Sequence, residues 1–132
     1  MRHFLSPMVA RPDAGFRLEN ERTGRTVASI LEPAFDSRSR RRGLLRRDRL
    51  AAGAAIVLAP CAAIHTLFMR FPIDVVFVAR DGTVARVCSR MKPWRAAFAF
   101  GAFAAIELTA GGAGESGTAV GDRLRLTSVG RG

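Results

Sequence analysis

The chain has 132 residues and a mass of 14.2 kDa, is 48% hydrophobic and 24% charged, and carries a formal net charge of +10. A chain of this length holds one core and excludes a second, and this much apolar surface excludes wholesale disorder. Lys92 is the only lysine, so 20 of the 21 basic residues are arginine, a ratio that reads as the codon bias of a GC-rich genome rather than as a built phosphate-binding surface.

Residues 1–15, ragged and interrupted by Pro7, Pro12 and Gly15, are expected to be a flexible N-terminal segment ahead of a single β-rich domain over 16–132. The first ten residues make a poor secretory leader because Pro7 breaks their apolar run. The uncharged stretch 51–64 falls short of the roughly 20 residues a bilayer requires, so no membrane span is expected and the default compartment is the cytoplasm.

Residues 16–21 and 25–31 read as strands around a tight turn at Gly24. Pro33 suits the first turn of a short helix over 34–42, stopped by Gly43. Between Arg38 and Arg49 seven arginines face one acid, Asp48, and account for +6 of the net charge. Nucleic-acid-binding segments interleave aromatic stacking residues, and this one has none, so a solvated helix face is the first reading and nucleic-acid binding through Arg38–Arg49 the alternative.

Residues 56–59 form a short apolar strand ended by Pro60. From His65 an extended segment would put His65, Leu67, Met69 and Phe71 on one face. Residues 73–79 and 83–89 flank Asp81-Gly82, a strong hairpin signal. Residues 91–103 are ambiguous, because their alanines favour a helix while Pro93, Gly101 and the aromatics Trp94, Phe98, Phe100 and Phe103 suit a loop and a barrel-like edge. A strand over 104–109, a glycine-rich connection over 111–121 with one helical turn, and a last strand over 123–127 complete the chain. The expected fold is mostly β, a single-domain antiparallel β-sandwich or barrel with one or two short helices.

One residue departs from core patterning. Asp74 is an ionisable group inside the apolar run 71–78, and an unpaired buried carboxylate costs several kcal/mol. It must therefore have partners: backbone N–H groups near Pro72, the guanidinium of Arg70, or His65. A cleft lined by His65, Thr66, Met69, Arg70 and Asp74 is the expected ligand-binding site, suited to a small anionic ligand or a protein partner. The enzyme alternative is a hydrolase-like dyad in which Asp74 orients His65 as base.

His3 is the only other histidine, so no multi-histidine metal cage can be assembled, and neither metal nor cofactor is expected. Met69 reads as a core filler and Asp122 as a turn residue bonded to nearby backbone. Cys61 and Cys88 read as inert thiols, bridged only if their strands are neighbours in an oxidising compartment.

Taken in order, Gly43-Leu44-Leu45-Arg46-Arg47 with Leu50, Pro60-Cys61, Ile64-His65-Thr66, Met69-Arg70-Phe71-Pro72-Ile73-Asp74 running on to Val78, Asp81-Gly82, Trp94, Ile106-Glu107-Leu108 with Ala110-Gly111, and Gly121-Asp122 resemble the bacterial and archaeal domain of unknown function 192 family. The resemblance spans about residues 16–127. Many members carry tryptophan and Met-Lys-Asn before the proline, where this chain has His65-Thr66 and Met69-Arg70-Phe71, the form of a second subgroup. The resemblance implies a small, mostly β sandwich of jelly-roll-like type and assigns no activity. It also implies a link to pilus and secretion systems, through the gene neighbourhoods of similar members.

Overall fold

The computed structural model describes residues 2–42 and 47–129. Their order is α1 (Ser6–Ala10), β1 (Phe16–Asn20), β2 (Thr26–Ala28), β3 (Ile30–Ala34), α2 (Ser37–Arg42), β4 (Ala54–Leu58), β5 (Ala63–His65), β6 (Ile73–Val78), β7 (Val84–Met91), β8 (Ala96–Phe98), β9 (Ala104–Thr109), α3 (Gly112–Glu115) and β10 (Leu124–Ser128). The protein is mostly β, one domain with three short helices among the described residues. No helix among them is long and apolar enough to cross a membrane.

The strands form three sheets, β10-β1-β2, β3-β4-β9-β6-β7 and the ribbon β5-β8, and they do not close into a barrel. Strand β6, between β9 and β7, is buried at every residue, Asp74 included, because both faces of its sheet are covered. On one face Val76, Val78, Val57, Ile106 and Leu108 pack against Leu18, Val27 and Leu124 of the three-stranded sheet. On the other, Ile56, Val75, Phe77 and Ala105 meet Ile64 of the ribbon, Met69 and Leu50.

The expected β6–β7 hairpin forms at Asp81-Gly82. Gly82 has φ +95°, and a Cβ there would stand 2.4 Å from the carbonyl oxygen of Leu124. Only glycine lets β10 approach this closely, and Leu124 N–H donates to Gly82 O at 2.8 Å. The hairpin turn thereby joins the two larger sheets.

Several expectations are corrected. The strand expected over 25–31 is two, broken at Ser29, where the chain passes from one sheet to the next while Ser29 and Ile30 both donate to Gly53 O. Pro33 starts no helix. It lies in β3, an edge strand, where a missing N–H costs no ladder bond, and β3 pairs with β4 in parallel, so the fold is not wholly antiparallel. Helix α2 is capped instead by Asp36, whose Oδ1 accepts Ser39 N–H at 2.7 Å.

The extended segment expected over 65–71 stops at His65: Phe68 has φ +64° and Met69 N–H donates back to Thr66 O in a turn. Residues 91–103 contain β8, antiparallel to β5, rather than a helix. Within residues 1–15 the structure places α1, with Leu5 fully buried in the core between the two larger sheets. Cys61 and Cys88 are free thiols, not a bridge. Gly43, the expected helix stop, and Leu44, Leu45 and Arg46 of the arginine segment lie outside the described residues.

Candidate functional site

Asp74 is fully buried and its partners are backbone amides. Ile73 pairs with Met91 and Val75 with Cys88, so two residues of β7 oppose Asp74 alone and the ladder bulges. The bulge turns Arg90 into a left-handed conformation, φ +50°, and its N–H donates to Asp74 Oδ1 at 2.8 Å. Oδ2 accepts the N–H of Ala113 at 2.9 Å, one of the donors that the first turn of α3 cannot satisfy internally. The carboxylate thus pins a bulge and a helix start to the sheet.

Neither Arg70 nor His65 takes part. Arg70 reaches outward to Asp48 at 2.7 Å, a pair with both side chains largely exposed and worth little. His65 is exposed, and its Nδ1 accepts Leu67 N–H at 3.3 Å. The base-and-orienter pair of His65 and Asp74 is therefore not assembled: one carboxylate is sealed inside the sheet by amides, and the imidazole stands in solvent with no hydrogen bond to it.

The five residues expected to line one cleft divide by depth. Thr66, Met69 and Asp74 are buried, while His65 and Arg70 are exposed. Thr66 is a hub. Its hydroxyl donates to Lys92 O at 2.7 Å and accepts Arg95 N–H at 2.9 Å, its own N–H donates to Arg95 O, and its carbonyl accepts from Met69 and Trp94. These bonds clamp the turn after β5 to the turn before β8.

Each clamped turn holds out one ring. Phe68 and Trp94, both with positive φ, are 68% and 56% exposed and meet edge to face with centroids 4.7 Å apart. Four residues along from Trp94, at the end of β8, Phe98 makes a second such contact with Phe100, which is 92% exposed. His65 pairs with Ala96 and Ala63 with Phe98, so His65 and Phe98 share the solvent face of the ribbon while Ile64 is buried beneath it. Arg86 crosses from β7 to donate to Phe98 O at 2.8 Å.

The sequence segments that carry these rings are rich in cations, of which Arg70 is paired with the exposed Asp48. Residues 61–71 and 83–106 contain no Asp or Glu, and contribute Arg70, Arg86, Arg90, Lys92 and Arg95. Phe68 and Trp94 were not legible as a pair, because nothing in the sequence marks left-handed backbone at two non-glycine residues. The only trace is the cluster of aromatics in a segment that fits neither helix nor strand.

The arginine segment behaves differently. Arg40 donates to the carbonyls of Phe35 and Ala59, and Arg47 pairs with Glu32 at 2.6 Å. Among its described side chains, these two are engaged with the protein itself.

No curated protein matches the sequence. Two solved structures resemble the fold, each with a TM-score of 0.73. One, from Sinorhizobium meliloti 1021 and provisionally described as a transcription regulator, is 25% identical, with 85% of this chain and 92% of that one covered. The other, of unknown function from Novosphingobium aromaticivorans DSM 12444, is 23% identical, with 84% and 83% covered. The family model of DUF192, described as "Uncharacterized ACR", matches residues 18–126, which contain the bulge at Asp74 and the Thr66 clamp. The chain belongs to this domain of unknown function 192 family.

Proposed function

We propose that the protein is a non-enzymatic binding module whose working surface is the outer side of the β5–β8 ribbon, and that its partner is an acidic segment of another protein. The observation that carries the reading is the Phe68–Trp94 pair, two large rings held in solvent by a buried hydrogen-bonding hub. Folding alone gives no reason to hold them there. Tryptophan and arginine dominate the energetics of protein interfaces, and rings fixed in advance forfeit little entropy on docking. His65 and Arg70 stand beside the pair in sequence and are exposed, Thr66 positions it, and Met69 and Asp74 support the sheet beneath. The absence of any carboxylate in residues 61–71 and 83–106 favours an acidic partner over a basic one.

A second reading is single-stranded nucleic acid, which also combines cations with exposed rings. The description of the Sinorhizobium meliloti relative points the same way. It ranks below the first because each ring is engaged with another ring rather than presented as an open stacking platform.

The test is selection of a random peptide library against the protein, counter-selected with the Phe68→Ala/Trp94→Ala variant. Peptides rich in Asp and Glu around a large apolar residue are expected. Recovery of no peptide that discriminates the two proteins overturns the reading, and tight oligothymidylate binding with a steep salt dependence replaces it with the second.

A further inference from the structure

An acidic segment docking on the ribbon needs a cation whose N–H groups are free. Three of the cations beside the rings are already engaged: Arg70 with Asp48, Arg86 with Phe98 O, and Arg95 with the carbonyls of Pro93 and Trp94. At the Phe98 end the ribbon runs into an open hollow of about 440 Å³. Pro60–Ala62, entering β5, form one wall, Gly101–Phe103, leaving β8, form the other, and Arg80 adds a charged side chain. Ala99 N–H donates to Ala62 O at 2.9 Å and Cys61 N–H to Phe103 O at 2.8 Å, which lace the two walls together. Phe98 pairs with Ala63 and Phe100 precedes Gly101, so the hollow is continuous with the Phe98–Phe100 contact.

Arg80 is held ready. Its guanidinium lies 4.5 Å over the centroid of Phe103, whose ring also meets His3 at 4.4 Å, and its carbonyl accepts Phe4 N–H at 2.8 Å. Stacking occupies the flat face of a guanidinium and leaves its N–H edge open, the geometry that takes both oxygens of a carboxylate. Arg80 is in no ion pair, although every Asp and Glu of the chain lies among the described residues. The adjacent Asp81 is turned to Thr83 N–H and Arg123.

We propose that this hollow receives an Asp or Glu side chain of the acidic segment, bound through both oxygens to Arg80, while the apolar side chains of the segment lie against Phe98 and Phe100. The assignment rests on the binding role of the ribbon and supplies its polar anchor. No Asp or Glu lines the hollow to compete for the guanidinium. Two other charged groups act on the Cys61 thiol in its wall, Glu107 from β9 and Arg40 from α2. Glu107 is 4% exposed and burial pushes its carboxyl up to about 7, while Arg40 is bonded to the carbonyls of Phe35 and Ala59. Neither neutralises Arg80.

The experiment takes the peptides selected on the wild-type protein and measures them on Arg80→Gln, with the Asp or Glu of each peptide changed to its amide as the second arm. Each change alone should weaken binding about 10-fold, and both together no more than either, because they remove the same contact. In 15N NMR spectra the acidic peptide should shift the Arg80 Nε–H and the amides of Gly101 and Ala102, and the amide peptide should not. Arg80→Lys, which keeps the charge and loses the fork, should recover only part of the affinity, and it decides the matter if Arg80→Gln disturbs the stacking on Phe103. Peptides that need Phe68 and Trp94 yet bind Arg80→Gln as tightly as the wild type, two losses that simply multiply, or full recovery in Arg80→Lys overturn the proposal and leave the binding face standing. Recovery of no discriminating peptide overturns both.

Discussion

Asp74 and Glu107 lie on adjacent strands of one sheet, one residue out of register, with their carboxyls on opposite faces: Asp74 is opposite Leu108, and Val75 is opposite Glu107. One is fully bonded and the other is not. A single apolar sheet therefore holds two acids under opposite conditions, and the two should respond oppositely to mutation.

Asp74→Ala should cost roughly 2 to 4 kcal/mol, because it strands the N–H groups of Arg90 and Ala113 in the interior. Asp74→Asn should lose nearly as much, since one amide would then face a donor with a donor. Urea unfolding of the three proteins measures this. A midpoint for Asp74→Ala within error of the wild type would show that water replaces the carboxylate.

Glu107→Gln should stabilise the protein at alkaline pH. The carboxyl titrates near 4.5 in the unfolded chain and at about 7 in the folded one. Between these values the native state holds a proton that the unfolded state has released, so stability falls as pH rises. The favourable contribution is complete below 4.5 and lost above 7. The full loss is about 3 kcal/mol. The variant and wild type should therefore match near pH 4 and diverge to about that difference at pH 8. Parallel stability curves would mean that Glu107 finds a partner in solution.

The hairpin at Asp81-Gly82 was legible because turn chemistry is local. So was the need of Asp74 for partners, since a carboxylate in an apolar run carries its own penalty. The partners were not legible: the amides of Arg90 and Ala113 lie 16 and 39 residues away, and are free only because of a bulge and a helix start that tertiary packing creates. Glu107 answers to the same rule as Asp74, an acid in the apolar run 104–109, and is the residue that rule should also have raised. Pro33 misled because the same fixed φ serves a helix start and an edge strand.

Asp122 should set the acid limb of stability. It accepts from Asn20 at 2.8 Å, from Arg22 at 2.6 Å and from the N–H of Ala119 at 2.9 Å. The hydrogen bonds from Arg22 and Asn20 hold its carboxyl far below the ordinary carboxylate range. The stability it confers is therefore present above its unfolded value of 3.8 and is lost as pH falls below it, the reverse of Glu107. Asp122→Ala should cost about 2 to 3 kcal/mol at neutral pH and flatten the decline of the thermal midpoint toward pH 2. An unchanged acid limb would assign that decline to other carboxylates.

Thr66 offers the most direct probe of the binding face, because Trp94 is the only tryptophan and reports on itself. Thr66→Val preserves shape while leaving Arg95 N–H without its hydroxyl acceptor and Lys92 O without its donor, at a cost of about 1 to 3 kcal/mol. The two turns it ties together carry Phe68 and Trp94, so loosening one should free both rings. Time-resolved fluorescence anisotropy of Trp94 should therefore fall in Thr66→Val and be retained in Thr66→Ser, which keeps the hydroxyl. Discriminating peptides should lose affinity in the same order. If Thr66→Val lost stability but kept both the anisotropy and the affinity, the ring pair would hold itself, and Thr66 would serve only the fold.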